Sequence, residues 1–425
     1  MKKLSVLLLA AAMVLAFTMP AAAIDNIFGG YWRTRAFTNQ NFTGEDVTEA
    51  QDVTKVDSRT RLYYTAKFTD DLQFVNKFEF DWQWGTGPQG DIGADGQVFE
   101  IKNSYADFNV LNKALNFKIG MQGYRWGRGF MFDDDFSGAV VTYKGAGFDV
   151  PFVWVKDYEG GAGLDANDSD VDYYTLNPSF TFGGFKINPF FTYVMSEDGA
   201  AAAAAGASPN KVLADVYEDI NLWYLGANVD FKVSGFNVWG TAIYNGGDAD
   251  ISGTTTSSDY SGYLFGLGAS GAMGPFGIHG EFWYSSGDDD AADEDQEAFI
   301  PPRGASYYWA EIMGFGIFDD RVSANSPGDQ ITNIWAGNIG ADYKLLPSLK
   351  TTLDLWYAER VEPTSASPDE DLGFEVDLKA TYQVMPNLNL DLVGAYLFAG
   401  DGTALGGATN DEDPYELGAR LSLSF

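Results

Sequence analysis

An alternation of polar and apolar residues with a period of two constrains the fold of this chain more than any other feature. In DSRTRLYYTAKF (57–68) and NKFEFDWQW (76–84), charged or polar residues alternate with aromatic or aliphatic ones. Successive side chains of a strand point to opposite faces, so each stretch predicts a strand with one polar and one apolar face. Helical periodicity is almost absent from the rest of the chain, which indicates an all-β protein.

The length of the predicted strands and the order of their connections narrow the fold further. The pattern recurs about 18 times, for example at 185–196 and 371–385, and most stretches reach roughly 10 residues. That length suits a tilted strand crossing a bilayer, whereas strands of soluble sheets average about 5 or 6 residues. Short turns alternate with longer loops rich in Asp, Gly, Ser and Ala. We therefore predict a transmembrane antiparallel β-barrel of about 18 strands with short periplasmic turns and long extracellular loops.

The N-terminal segment predicts export. Lys2 and Lys3 precede an apolar run that ends in small residues, which is typical of a cleaved signal peptide over 1–23. The remaining residues, 24–425, are predicted to form a single outer-membrane barrel domain. The chain has no cysteine, so disulfides and thiolate metal sites are excluded. Its formal net charge is −34.

The last strand indicates how the barrel is completed. In ELGARLSLSF (416–425), the apolar residues take alternate positions, which predicts that Leu421, Leu423 and Phe425 face lipid. Arg420 lies on the opposite, lumenal face. The chain is expected to stop where this strand closes the barrel against the first strand.

A terminal phenylalanine on such a strand resembles the signal by which bacterial outer-membrane barrel proteins are recognised for insertion. The chain as a whole resembles the bacterial outer-membrane porins, and DSRTRLYYTAKFTDDLQFVNKFEF is similar to the 18-stranded alginate-export type of barrel. The resemblance implies an integral outer-membrane protein of a Gram-negative bacterium that passes small hydrophilic or ionic solutes through a water-filled channel. It also implies contact with outer-membrane lipid, lipopolysaccharide and the barrel-insertion machinery. The resemblance does not decide whether the protein is a monomer or a homotrimer.

The residues predicted to line the pore are mostly charged. They are Arg33, Arg35, Arg59, Arg61, Lys77, Glu79, Asp81 and Arg420. Arginines on adjacent strands repel one another unless negative charge stands nearby. Neighbouring carboxylates would make them a ladder that stiffens the wall, and passing anions would make them a selectivity filter. The alginate-export resemblance implies a basic pore and favours the second interpretation for Arg59 and Arg61.

A constriction is predicted in the third outer loop, within GYRWGRGFMFDDDF (123–136). Its charged residues are Arg125, Arg128, Asp133, Asp134 and Asp135. In porins the third outer loop commonly folds into the barrel, so these charges would create a transverse field. The alternative is a loop at the rim whose arginines pair with the neighbouring aspartates. Strand parity would turn Arg125 inward only through a bulge.

Two further features have more than one interpretation. The seventh outer loop, about 287–330, is expected to be structured and to fold over or into the mouth of the barrel. Tryptophans on predicted strands suit the interfacial girdles of a barrel, and an aromatic sugar slide in the lumen is the competing use. They are Trp82, Trp84, Trp154, Trp223, Trp239, Trp283 and Trp356.

Catalysis and nucleic-acid binding are not expected. His279 is the single histidine, it lies beside a short turn, and no hydrolase, metal or nucleotide motif accompanies it. The acidic balance argues against a nucleic-acid partner. We predict no enzyme activity and no cofactor.

The alternatives to a diffusion porin are a dedicated exporter of an anionic polysaccharide and a structural or adhesive barrel plugged by its loops.

Overall fold

The structure is a computed structural model. It describes residues 24–43, 52–93, 99–159, 170–196, 217–251, 257–290, 293–364, 368–404 and 412–425. The predicted signal peptide, 1–23, lies outside these residues. Among the helices that are described, none is long and apolar enough to cross a membrane.

The chain forms one closed sheet of 18 antiparallel strands, which confirms the predicted fold. The strands are β1 (Asp25–Gln40), β2 (Val53–Thr69), β3 (Leu72–Gln83), β4 (Glu100–Val110), β5 (Leu115–Trp126), β6 (Phe132–Gly145), β7 (Phe148–Tyr158), β8 (Val171–Leu176 and Ser179–Phe182), β9 (Phe185–Ser196), β10 (Tyr217–Val233), β11 (Phe236–Ile251), β12 (Ser257–Tyr260 and Tyr263–Met273), β13 (Phe276–Ser285), β14 (Ile334–Leu346), β15 (Leu349–Arg360), β16 (Asp371–Met385), β17 (Leu388–Ala399) and β18 (Tyr415–Ser424). Short elements in the connections are the helical turns Gly87–Gly90, Gly127–Gly129 and Asp401–Thr403 and the strand Asp295–Gln296.

The barrel closes between β1 and β18, as the sequence predicted. The two strands pair antiparallel along the whole of β18. Beyond its end, the Gly30 N–H donates to the Phe425 carbonyl at 2.8 Å and the Phe425 N–H donates to the Gly30 carbonyl at 3.1 Å. Closure leaves the sheet without a free edge that could pair with another chain.

The two faces of the wall differ in polarity. On β18, Leu417 is 54% exposed and Phe425 is 60% exposed, while Glu416 is 1% exposed. On β12, Phe265 and Leu267 are likewise exposed on the outer face. A belt of exposed aliphatic and aromatic side chains therefore surrounds the barrel, as it does in barrels that contact lipid.

The lumen contains a packed core formed by the seventh loop, residues 286–333, which confirms that this loop is structured and folds into the mouth. Phe299, Ile312 and Met313 of the loop are fully buried. They belong to one hydrophobic cluster with Val153 and Trp283 of the wall. The core of the protein therefore lies inside the barrel, between this loop and the inner face of the sheet.

Three tryptophans predicted for the outer girdle point into the lumen instead. Trp283 and Trp356 pack edge to face against Trp309 of the seventh loop, with ring centroids 5.1 and 5.3 Å apart. Trp239 lies under the Arg128 guanidinium at 4.9 Å. Because the seventh loop fills the lumen with apolar side chains, a tryptophan ring can be buried on the inner face as well as in the membrane. The alternation of the strand therefore decides the face to which each tryptophan points. Trp84 and Trp154 are exposed on the outer surface.

Candidate functional site

Five arginines line one side of the lumen on β18, β1 and β2, and each contacts a carboxylate. Arg33 lies opposite Arg59, and Arg35 lies opposite Arg420. The pairs are Arg33 with Asp319 at 3.3 Å, Arg35 with Asp57 at 2.7 Å, Arg59 with Asp81 at 2.8 Å, Arg61 with Glu79, and Arg420 with Asp391 at 2.9 Å. These carboxylates offset the repulsion between neighbouring guanidinium groups.

One of these partners, Asp319, comes from the seventh loop, and sequence reasoning missed it together with its neighbour Asp320. Asp319 contacts both Arg33 and Arg35, and Asp320 contacts Lys55 on β2. Asp319 lies 286 positions from Arg33 along the chain. No local pattern links residues so far apart, so the sequence carried no signal for this contact. The arginines therefore hold the loop as well as the wall.

The tip of the β5–β6 hairpin, residues 127–131, extends across the lumen. Arg128 donates to Asp230 on β10 at 2.7 Å. The Phe130 ring stacks on Tyr307 of the seventh loop at 4.0 Å between centroids. The tip thus meets the wall at β10 and the seventh loop at once, and it occupies part of the bore.

Most residues assigned to the constriction loop belong to strands, which corrects the predicted loop bounds. The ladder between β5 and β6 continues to Trp126 opposite Phe132, so Arg125 and Asp133 face each other on paired strands. Arg125 Nε lies 3.2 Å from Asp133 Oδ2. No register shift occurs in this ladder, yet Arg125 lines the central and basal cavities, so its inward position does not depend on the bulge that strand parity required. Glycines and consecutive aspartates obscured the period of two here.

Asp134 and Asp135 lie on β6, and the Asp135 side chain contacts two residues of β4. Lys102 Nζ lies 2.6 Å from Asp135 Oδ2, and the Asn103 side chain donates to Asp135 Oδ1 at 2.7 Å. Lys102 was not predicted as a site residue. It lies where the β3–β4 register shifts, after Lys77 pairs with Asn103, and simple alternation fails at such a bulge.

Three adjoining cavities follow one wall of the barrel. The mouth cavity, about 410 Å³, is lined by Glu100 and Lys156 at the long-loop end. The central cavity, about 1030 Å³, shares Lys102, Asp134 and Asp135 with it. The basal cavity, about 950 Å³, shares Tyr124 and Arg125 with the central cavity and reaches the short turn at Asp70 and Asp71. Together the cavities outline a path between the two ends of the barrel.

Four lysines beside this path form no salt bridge among the described residues; Lys144 and Lys186 lie next to short turns at the end of the basal cavity, and Lys77 and Lys118 lie farther along the wall. Lys77 belongs to β3, and Lys118 belongs to β5. Lys77 Nζ lies 5.4 Å from the centroid of the Tyr63 ring, and Lys118 lines the basal cavity. The Asp135 carboxylate and the positive charges of Arg61, Lys102 and Lys118 all act on Lys77. Among the described residues, the ammonium groups of Lys77 and Lys118 are therefore not bound directly by a carboxylate.

The far side of the central cavity is acidic and aromatic. His279 Nε2 lies 2.6 Å from Asp354 Oδ1. Tyr307 of the seventh loop donates its hydroxyl to Glu281 Oε1 at 2.9 Å. Burial raises the pKa of Tyr307, so the phenol stays protonated and remains a donor. Basic and acidic groups thus both line the Lys102 side of the cavity, and carboxylates of β13 and β15 line the other side.

The residues of the predicted insertion signal lie at the closing strand. Leu421 and Leu423 are partly exposed, and Phe425 is largely exposed on the outer face. The Phe425 ring lies directly over Gly30, which has no room for a side chain. Recognition by the insertion machinery remains a prediction.

No protein-family model and no curated protein matches the sequence. Solved structures do resemble it in fold. OpdK of Pseudomonas aeruginosa, solved with vanillate, gives a TM-score of 0.58 at 14% identity over 94% of this chain and 98% of its own. OccK9 (OpdG) of the same organism gives 0.60 at 13% identity over 94% and 99%. OccAB2 of Acinetobacter baumannii gives 0.58 at 11% identity over 94% and 98%. At these identities the likeness concerns the fold of nearly the whole barrel.

Proposed function

We propose that this protein is an outer-membrane porin of a Gram-negative bacterium, through which small hydrophilic solutes cross by passive diffusion. The observation that carries the proposal is a closed 18-strand barrel with an apolar belt outside and a row of polar cavities inside. Hydrocarbon cannot satisfy backbone polar groups, so a closed barrel is the sheet that suits a bilayer. OpdK, which shares the fold, is described as an outer membrane protein.

The solute path proposed here is narrow and lies to one side of the barrel. It follows the mouth, central and basal cavities along β3–β7, because the seventh loop fills the rest of the lumen. We propose a preference for small anions, attracted by Lys77 and Lys118 with help from Arg61 and Lys102. The structure of OpdK with vanillate makes a small organic anion a reasonable first solute to test.

Planar-bilayer recording of the refolded mature protein tests this function. We expect small, steady single-channel currents, and a reversal potential across a salt gradient that indicates anion preference. Vanillate added to one side should produce concentration-dependent blockage of the current. Well-folded protein that carries no current would contradict the porin proposal, and cation preference would contradict the assignment of Lys77 and Lys118.

A loop-plugged barrel is the second candidate, and one observation favours it. The seventh loop is bound to β1 through Asp319, to β2 through Asp320 and to β13 through Tyr307. Export of an anionic polysaccharide, which the alginate-export resemblance implies, would require this loop to leave the lumen. A barrel that conducts only after removal of the loop would support the plugged form.

We propose lipid and lipopolysaccharide as the surroundings of the outer belt, and the insertion machinery as the partner of the closing strand.

A homotrimer is tested by the mass of the detergent-solubilised particle. A particle of one chain would contradict it. Absence of enzyme activity and of a cofactor is also part of the proposal, since diffusion needs neither.

A further inference from the structure

Four carboxylic acids are buried where the seventh loop meets β16 and β18. Glu375 and Asp377 belong to β16, Glu416 belongs to β18 and Glu311 belongs to the loop. Their exposure ranges from 0% for Glu375 to 6% for Asp377. Within the part of the chain that the structure describes, none of the four forms a salt bridge. Buried carboxylates without a cationic partner are costly when ionised.

These acids bind the backbone of the loop to the wall. The two oxygens of Glu375 accept the N–H groups of Ile312 at 2.7 Å and Met313 at 2.9 Å. Asp377 Oδ2 accepts the Glu311 N–H at 3.2 Å. Carboxyl groups of the wall therefore bind three successive backbone N–H groups of the loop, from Glu311 to Met313.

The cations near the four acids are two arginines already bound to other carboxylates and Lys379, which forms no salt bridge among the described residues. The charged groups that face them from neighbouring elements are Lys379 of β16, Arg420 of β18, Arg35 of β1, Asp354 of β15 and Asp320 of the loop. Arg420 is bound to Asp391. Arg35 is bound to Asp57 and Asp319. The two nearby guanidinium groups are thus already engaged by other carboxylates.

Glu375 and Asp377 lie two residues apart on β16, so their carboxyl groups project from the same inner face of the strand, and Asp377 Oδ1 has no hydrogen-bond donor among the described residues. Two ionised carboxylates side by side in a buried site repel each other, so burial favours a state in which the pair holds a proton. Burial also raises the pKa of Glu311, the acid that the loop contributes. The docked loop therefore holds acidic protons that it would lose in contact with water.

We propose that the Glu375–Asp377 pair is a proton-binding site that locks the seventh loop in the lumen, and that loss of the proton releases the loop. The pair binds a proton more tightly in the docked state than in the released state, where water reaches both acids. Docking is therefore complete at low pH and is lost as pH rises. Each proton released shifts the docking equilibrium about tenfold per pH unit.

Thiol labelling of the full mature chain tests the lock. The chain has no cysteine, and Ser323 of the loop is 1% exposed, so S323C reports undocking. The probe is a polar maleimide, and its rate is divided by that of T69C, an exposed position at a short turn, to remove the pH dependence of the thiolate. We expect the ratio to rise at least about tenfold between pH 6 and pH 9.

Neutral isosteric variants decide the assignment. D377N should abolish the rise and keep the ratio low at both pH values, because its amide oxygen can still accept the Glu311 N–H and both Glu375 contacts with the loop are kept. D70N, which changes an exposed carboxylate at a short turn, should leave the rise intact. A flat ratio in the parent, or an unchanged rise in a folded neutral variant, would overturn the proposal. Labelling reports docking even in a barrel that carries no current, so it can fail independently of the porin function.

Discussion

At the scale of single residues, pairing decides which charges can act on a solute. Arg59 and Arg61 are each bound to a wall carboxylate, whereas Lys77 and Lys118 show no ion pair among the described residues. A unit charge at about 4 Å in water is worth ~1 kcal/mol to a passing ion, or about fivefold in permeability. We expect K77Q with K118Q to lower the anion-to-cation permeability ratio by about that factor, as measured from reversal potentials.

The matched comparison for this prediction removes the arginines together with their partners, in the variant R59Q/R61Q/E79Q/D81N. Two positive and two negative charges are lost, so the net charge of the wall does not change. We expect a smaller shift in selectivity together with a lower thermal stability. The opposite result would contradict this prediction: anion preference would be lost in the arginine variant and kept in the lysine variant. The arginines of β2 would then be the selectivity filter.

Residue-scale predictions from the sequence succeeded where alternation was regular. Parity placed Arg35 on the lumenal face and Leu421 on the outer face, because β1 and β18 alternate without interruption. It missed Lys102, which lies at a bulge, and the girdle prediction failed at Trp283 because the size of the ring suggested the membrane interface. Neither the bulge nor the filled lumen has a signature within a few residues of these positions.

At the scale of elements, hairpins were predictable and lumenal loops were not. The bounds of β9 and β16 coincide with the predicted ranges 185–196 and 371–385, since each strand is specified by its own alternation and flanking turns. The seventh loop is specified by contacts with many strands. Its inward direction was expected from its apolar content, but its partners on β1, β2 and β16 depend on distant parts of the chain.

Replacing the seventh loop tests its role as the main obstruction. Ser285 at the end of β13 lies opposite Ile334 at the start of β14, so a short Gly-Ser turn can replace residues 287–332 without straining the sheet. We expect single-channel conductance to rise severalfold, because conductance scales with the open cross-section. Thermal stability should fall, since apolar inner-wall residues such as Trp283 lose their cover.

Heat-modifiable migration on a gel is the control that this shortened barrel is folded. A folded barrel with unchanged conductance would mean that solutes already pass along the path beside β3–β7 and that the loop blocks nothing. Charge preference should persist in the shortened barrel, because Lys77 and Lys118 belong to the wall.

At the scale of the whole molecule, closure is the step on which every other feature depends. The inner face carries buried charges and the outer face carries exposed apolar residues, so an open sheet would be soluble in neither water nor lipid. The final residue takes part in closure directly, because the backbone of Phe425 exchanges two hydrogen bonds with Gly30. Its ring is 60% exposed, so it adds little to the packing of the finished barrel.

This geometry separates a role in assembly from a role in stability. F425S should keep both backbone hydrogen bonds and lose only an exposed ring, so the thermal midpoint of refolded protein should change little. If the ring is recognised during insertion, the amount of folded protein in the membrane fraction of expressing cells should fall severalfold. L417S removes an equally outward side chain from the same strand and should leave that amount nearly unchanged. Equal losses for both variants would show that outer apolar area, and not the terminal residue, determines insertion.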